Sequence, residues 1–281
     1  MNKLIVTNKS ILCAAALLLV FCLRASAQQT TAPPAISVGG KTYLKQTIVR
    51  SESMLQNGAA KLNINSVSSI SKTCKFDNAP DNAFTATLTI TRLTDSITSG
   101  DQKFYFSSAG TANSQSKLSQ ALASMVGKVY SYAVDKKGAI TSVIKNYPPS
   151  PADSVFSFAG LEQEQLFVGK TFPFVADIAT LTTLETGKRW GDTTVTAKGR
   201  AIGEYWLEKN EGPQTVLAFI KTINDGGLNT QSTGTYTIDN ATGVIVGREI
   251  KNITTGYLSF KGTPYISTRR STITETCSLA E

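Results

Sequence analysis

The residues able to do chemistry in this 281-residue chain are few, and the first fact about them is a zero: there is no histidine. That removes an imidazole general base, a Ser-His-Asp relay and any histidine-ligated metal. Of the four cysteines, Cys13 and Cys22 lie in the N-terminal leader, leaving Cys74 and Cys277. Two thiols cannot build a four-thiolate zinc cluster. Neither GxGxxG nor GxxxxGK(S/T) occurs, so no phosphate-cradling loop is encoded.

Carboxylates remain. Glu162 and Glu164 would share a face only on a strand, whereas their neighbourhood reads as helix or loop. Glu204 and Glu249 are read on neighbouring strands, an arrangement open to a glycosidase-type pair. Asp77, Asn78, Asp81 and Asn82 are oxygen-rich but lack the calcium-loop spacing with its terminal Glu, so they read as a polar turn. Solvated surface is the first reading of all these acids. No catalytic residue, metal site or cofactor is expected, and the protein is read as leaning away from an enzyme.

Aromatic and apolar side chains offer binding instead. Trp190 follows Lys188-Arg189, and Tyr205-Trp206 point to opposite faces of one strand. Leu118, Ala121, Leu122, Met125 and Val126 form a stripe at helical spacing, ended by Gly127. Core packing is the first reading of both groups. The alternative is a ligand-lining role for Leu118, Leu122, Met125, Trp190 and Trp206.

The elements that must position these residues are mostly strands. Residues 84–93, FTATLTITRL, alternate with Phe84, Ala86, Leu88 and Ile90 on one face. Further strands are read at 43–49, 62–74, 103–107, 171–175, 192–199, 201–208, 214–223, 232–238, 244–252 and 265–277. Residues 234–252, GTYTIDNATGVIVGREIKN, read as a hairpin, in which Asp239 and Asn240 close the turn and Gly243 supplies positive φ. Residues 132–146 repeat that pattern more faintly. Helices are expected over 114–127 and from Ser150-Pro151-Ala152-Asp153 onward, where Ser is the N-cap and Pro the first helical residue. The fold class is mainly β: curved antiparallel sheets or a half-barrel meander with two short packing helices.

The N-terminus reads as a secretory signal peptide. Lys3 and Lys9 precede the apolar run Ile11–Leu23, and Ala25-Ser26-Ala27 is a small-x-small cleavage site before Gln28. The run of 13 residues is shorter than the roughly 20 needed to span a bilayer. The expected organisation is signal 1–27, leader 28–40, an N-terminal β-rich lobe with one helix over 41–147, a Pro-rich break and helix over 148–168, and a β-meander over 169–281. Three of the 28 basic residues lie in the signal, so the mature chain sets 25 against 20 acidic residues. They are scattered, without the stripe that nucleic acid requires. In an exported chain Cys74 and Cys277 read as one disulfide.

GKTYLKQTIV (40–49), VGKTFPF (168–174), TYTIDNATGVIVG (235–247) and the Thr-rich strand 267–276 together resemble an uncharacterised family of exported bacterial β-rich proteins. That family is distantly similar to periplasmic half-barrel lipoprotein carriers. The resemblance implies an exported, periplasmic or extracellular protein of the cell envelope that works without catalysis. Its expected role is to bind a lipid or other apolar ligand, with a structural or interaction module for an envelope protein or glycan as the alternative and a carboxylate-based hydrolase as the third reading.

Overall fold

Period-two alternation runs nearly unbroken through this chain, and each alternating run becomes a strand of one sheet. The computed structural model describes residues 35–147, 166–196, 199–260 and 263–280. Pro34–Glu281 forms one compact unit. The signal peptide with its Ala27/Gln28 site, and the helix expected from Ser150, lie outside the described residues.

The strands are β1 (Thr42–Asn57), β2 (Ala60–Asn78), β3 (Phe84–Ser99), β4 (Gln102–Ser107), β5 (Val129–Val134), β6 (Ile140–Lys145), β7 (Arg189–Thr196), β8 (Gly199–Glu211), β9 (Gln214–Asp225), β10 (Leu228–Asp239), β11 (Ile245–Phe260) and β12 (Thr263–Leu279). They form a single 12-stranded sheet in the order β6-β5-β3-β2-β1-β12-β11-β10-β9-β8-β7, with β4 on β3. Every pairing is antiparallel. The sheet is open and does not close into a barrel. Its middle is the β1–β12 pair, where the first and last strands of the sheet's sequence meet.

Alternation gives the sheet an inner, more buried face. On β1 that face carries Tyr43, Lys45, Thr47, Val49 and Ser51. On β3 a bulge leaves Thr91 unpaired between the register partners of Ser71 and Lys72, so Ile90 and Leu93 both face inward. Glycine is required where strands crowd the rings: a Cβ on Gly203 would sit 2.8 Å from the Tyr205 ring, and one on Gly234 would sit 2.2 Å from the Glu249 carbonyl oxygen and 3.0 Å from the Phe219 ring.

Helix α1 (Lys117–Met125) follows the 3-4 stripe, starting where the Ser116 hydroxyl accepts the Ser119 N–H. It lays Ala121, Leu122 and Met125 on Val49, Ile70, Ile90, Leu93 and Phe106. A single helical turn, α2 (Ile178–Leu181), is capped by Asp177 and packs Ile178 and Leu181 on Leu207 and Ile238.

Residues 171–175, expected as a strand, make isolated bridges instead, Ala139 with Thr171 and Val175 with Val244. Pro173 has no amide hydrogen to give a ladder. Phe172 and Phe174 both bury into the cluster around Phe76, and their rings stack at 5.6 Å. The 234–252 hairpin forms with its turn where the sequence places it: Gly243 has φ +74°, and its N–H donates to the Asp239 carbonyl at 2.8 Å. That turn is also a dock, since Ser37 N–H donates to Thr242 O and Ala176 N–H to Gly243 O, each at 2.9 Å.

Candidate functional site

The inner face of the C-terminal strands carries a row of rings. Trp190 on β7 and Tyr205 on β8 are register partners, as are Tyr205 and Phe219 on β9. Trp190 stacks on Tyr205 at 6.1 Å and 21°, Tyr205 meets Phe219 at 6.1 Å, and Phe219 meets Tyr236 of β10 at 5.3 Å. Phe219 is 5% exposed, while Trp190, Tyr205 and Tyr236 are half-buried. Gly203 and Gly234 leave room for this ladder, because a side chain at either would occupy the space of a ring. Burial pushes the Tyr205 phenol up, helped by Tyr236 and Asp192.

The row continues into charge. Tyr236 is the register partner of Arg248 on β11, Arg248 of Glu275 on β12, and Glu275 of Thr47 on β1. Glu275 Oε1 accepts from Arg248 Nη2 and from the Thr47 hydroxyl, each at 2.9 Å, and Oε2 faces Lys45 Nζ at 3.2 Å. Lys45 Nζ also donates to Pro173 O at 2.8 Å and lies 4.1 Å from the Phe174 ring centroid. Burial pushes the Glu275 carboxyl up, but Lys45, Arg248, Lys72 and the Thr47 hydroxyl together hold it below its ordinary value. Glu275 thus spends both oxygens on three donors, while the buried Nε–H of Arg248 reaches no acceptor among the described residues.

A second carboxyl is buried elsewhere in the sheet. Asp95 on β3 is 1% exposed; its Oδ1 accepts from Ser68 at 2.7 Å, and its Oδ2 has no partner among the described residues. Burial pushes its pKa up to about 6 against the Ser68 and Ser96 hydrogen bonds.

The structure separates the ligand-lining residues expected from sequence. Trp190 lies in the ladder. Trp206 points to the opposite face, under the Arg189 guanidinium at 4.5 Å. Leu118, Leu122 and Met125 fill the contact between α1 and the sheet, as the core reading has it, and belong to a different cluster from Trp190.

Cys74 and Cys277 are both buried and free, which differs from the expected disulfide. The reason is the strand between them. Cys74 on β2 is the register partner of Tyr43, and Cys277 on β12 that of Lys45, with β1 in the middle. Strands two apart are about 10 Å distant, beyond the roughly 7 Å Cα limit of a disulfide. Burial pushes both thiols up, Cys277 to about 11.

Glu204 and Glu249 are not on neighbouring strands either. β9 and β10 lie between β8 and β11, which by strand spacing separates them by about 14 Å. Glu204 pairs with Arg189 and Glu249 with Lys251, each at 3.3 Å. Glu162 and Glu164 lie outside the described residues. Asp77 pairs with Lys75 at 2.9 Å, and Asp81 sits in a 3-10 turn.

Sequence reasoning missed Lys45, Arg248 and Glu275. A signal was present: Lys45 falls on the inward parity of Tyr43, Thr47 and Val49, and Glu275 on that of Cys277. A charge at an inward position of a strand asks for a buried partner.

Fold and site together define an open, single-sheet antiparallel β protein whose inner face bears an aromatic row ending on a buried ion cluster. No family model matches the chain, and no curated protein matches it. Among solved structures it is similar to a lipovitellin chain from a study of lipid–protein interactions in lipovitellin, at 13% identity and a TM-score of 0.49, covering 86% of this chain and 26% of that one. The chain therefore spans about a quarter of the lipovitellin chain's length. An outer membrane channel of Pseudomonas putida F1 is similar at 9% identity and a TM-score of 0.28, covering 88% of this chain and 99% of that one. OpdQ of Pseudomonas aeruginosa follows at 6% identity and a TM-score of 0.24, with 86% and 99% covered. Among the described residues no helix is long and apolar enough to cross a membrane.

Proposed function

We propose that this is an exported, non-enzymatic protein of the cell envelope that binds an apolar or amphipathic ligand on the inner face of its sheet. One observation carries the reading: the row Trp190–Tyr205–Phe219–Tyr236 crosses four strands, and three of its four rings are half-buried on a sheet that does not close. Rings already packed against one another present continuous apolar area while losing little rotamer freedom on binding. Gly203 and Gly234 leave the rings of the row their room. The signal sequence read over residues 1–27 supports export. The charge is too scattered for a nucleic-acid partner.

The test is binding of the neutral fluorophore N-phenyl-1-naphthylamine to the folded chain. The expected result is saturable fluorescence enhancement, weakened by Tyr205→Ser. Absence of saturable binding to the wild type overturns the reading. A second reading, docking to an envelope protein, has its own observation: on the outer face Tyr257 and Ile266 are register partners, and both are well exposed. A single protein cross-linked in cells through position 257, with no bound lipid, favours that one.

A further inference from the structure

We propose that the ligand of this face is an acyl amphiphile with a small anionic head, its head received by Arg248 and its chain laid along the ladder from Tyr236 towards Trp190. This rests on the ligand-binding reading above and adds the ligand's chemical class and orientation to it.

Three observations converge. The first is a local imbalance of charge. Among the described residues Lys45 and Arg248 share one carboxylate, Glu275. Glu275 is 6% exposed and Lys45 3%, so water does little to compensate the excess cation. The second is an unmet donor. Arg248 gives Nη2 to Glu275 at 2.9 Å, but its Nε–H is buried without an acceptor among the described residues. A buried N–H left unpaired is costly, and a guanidinium favours a planar or multidentate oxyanion. Its side chain keeps 17% of its surface exposed, although the Nε–H itself is covered.

The third is continuity. Arg248 is the register partner of Tyr236, the last ring of the ladder. The row from Trp190 to Tyr236 crosses three strand spacings, about 14 Å. Cation and apolar track are therefore neighbours on one face, the row stepping two residues along the strands between Phe219 and Tyr236. A cationic head would meet the wrong sign here, since both oxygens of Glu275 are already engaged. A neutral head would leave the Nε–H and the excess charge as they are.

The experiment displaces N-phenyl-1-naphthylamine from the full chain with oleate and with oleyl alcohol, which share a chain and differ in head. Oleate is expected to displace at about tenfold lower concentration, the worth of one charge-assisted hydrogen bond. Arg248→Met should bring the oleate requirement up towards that of oleyl alcohol, closing the gap between the two probes. Arg248→Lys keeps the charge opposite Glu275 and should fall between. Equal displacement by the two probes on the wild type overturns the anionic-head assignment while the binding reading stands. Fluorophore binding that neither probe displaces overturns the acyl chain as ligand. Failure of the fluorophore itself to bind removes both. The wild-type comparison decides without either variant.

Discussion

Lys45 and Glu275 meet at 3.2 Å in the middle of the sheet, both almost wholly buried, from strands 230 residues apart in sequence. Lys45 is held on three sides, by Glu275, by the Pro173 carbonyl and by the Phe174 ring. The pair thus fixes β1, β12 and the segment carrying Pro173 at a single point. An ion pair so buried costs much desolvation, so its value lies less in net stability than in the penalty for breaking it.

Glu275→Leu leaves Lys45 and Arg248 as buried cations without their carboxylate. The expected loss is about 3–5 kcal/mol in urea unfolding. The carboxyl's folded pKa lies below its unfolded one, so its stabilisation is present above the unfolded value and is lost as pH falls through the folded one. Wild type should lose stability on acidification below about pH 4.5, and the variant should lack that component. An unchanged unfolding midpoint for Glu275→Leu contradicts the cluster's role.

Asp95 works in the opposite sense. Its folded pKa is raised to about 6, so its contribution is full below the unfolded value near 4 and disappears as pH rises through 6. The gap corresponds to about 3 kcal/mol. Asp95→Asn should stabilise the fold at pH 8 and change it little at pH 4. The reading is the difference between wild-type and variant melting temperatures across that range. A constant difference shows that the carboxyl does not titrate in that range.

Gly234→Ala puts a Cβ 2.2 Å from the Glu249 carbonyl oxygen, which is backbone and cannot swing aside. The expected cost is about 1–3 kcal/mol, with altered fluorophore binding because the Phe219 ring is displaced. Gly247→Ala is the control: its Cβ would meet the Thr237 side chain at an ordinary 3.4 Å. Equal effects of the two substitutions on stability argue against the close approach.

Cys74 and Cys277 should resist iodoacetamide in the native protein, since burial keeps both as thiols. In urea without reductant both should label. Failure to label until reductant is added means the two are bonded, which requires β1 to leave its place between them.

Much of this architecture was legible in the residues. Alternation placed Phe84, Ala86, Leu88 and Ile90 on one face, the 3-4 stripe placed α1, and Asp239 with Gly243 placed the turn of the 234–252 hairpin. These depend on local periods and on turn chemistry, which a linear string carries in full. The candidate site was harder to read. Trp190 was legible as a possible lining residue, but Trp206, one residue beyond the ladder's Tyr205, faces the other way. Phe219 carries no motif, and the 234–252 hairpin that holds Tyr236 and Arg248 marks neither for binding.

Pairing was the thing the residues alone did not decide. Strand order and register are set by which long strands meet, and a shift of one residue would turn every side chain to the other face. Tertiary structure put β1 between Cys74 and Cys277, put β9 and β10 between Glu204 and Glu249, and brought Lys45 to Glu275. The sequence by itself determined that this would be a sheet of alternating faces with one stripe-bearing helix upon it. Only the tertiary structure decided that the aromatic row would end on Arg248, because contact across a sheet depends on non-local hydrogen-bond register, which no short stretch encodes.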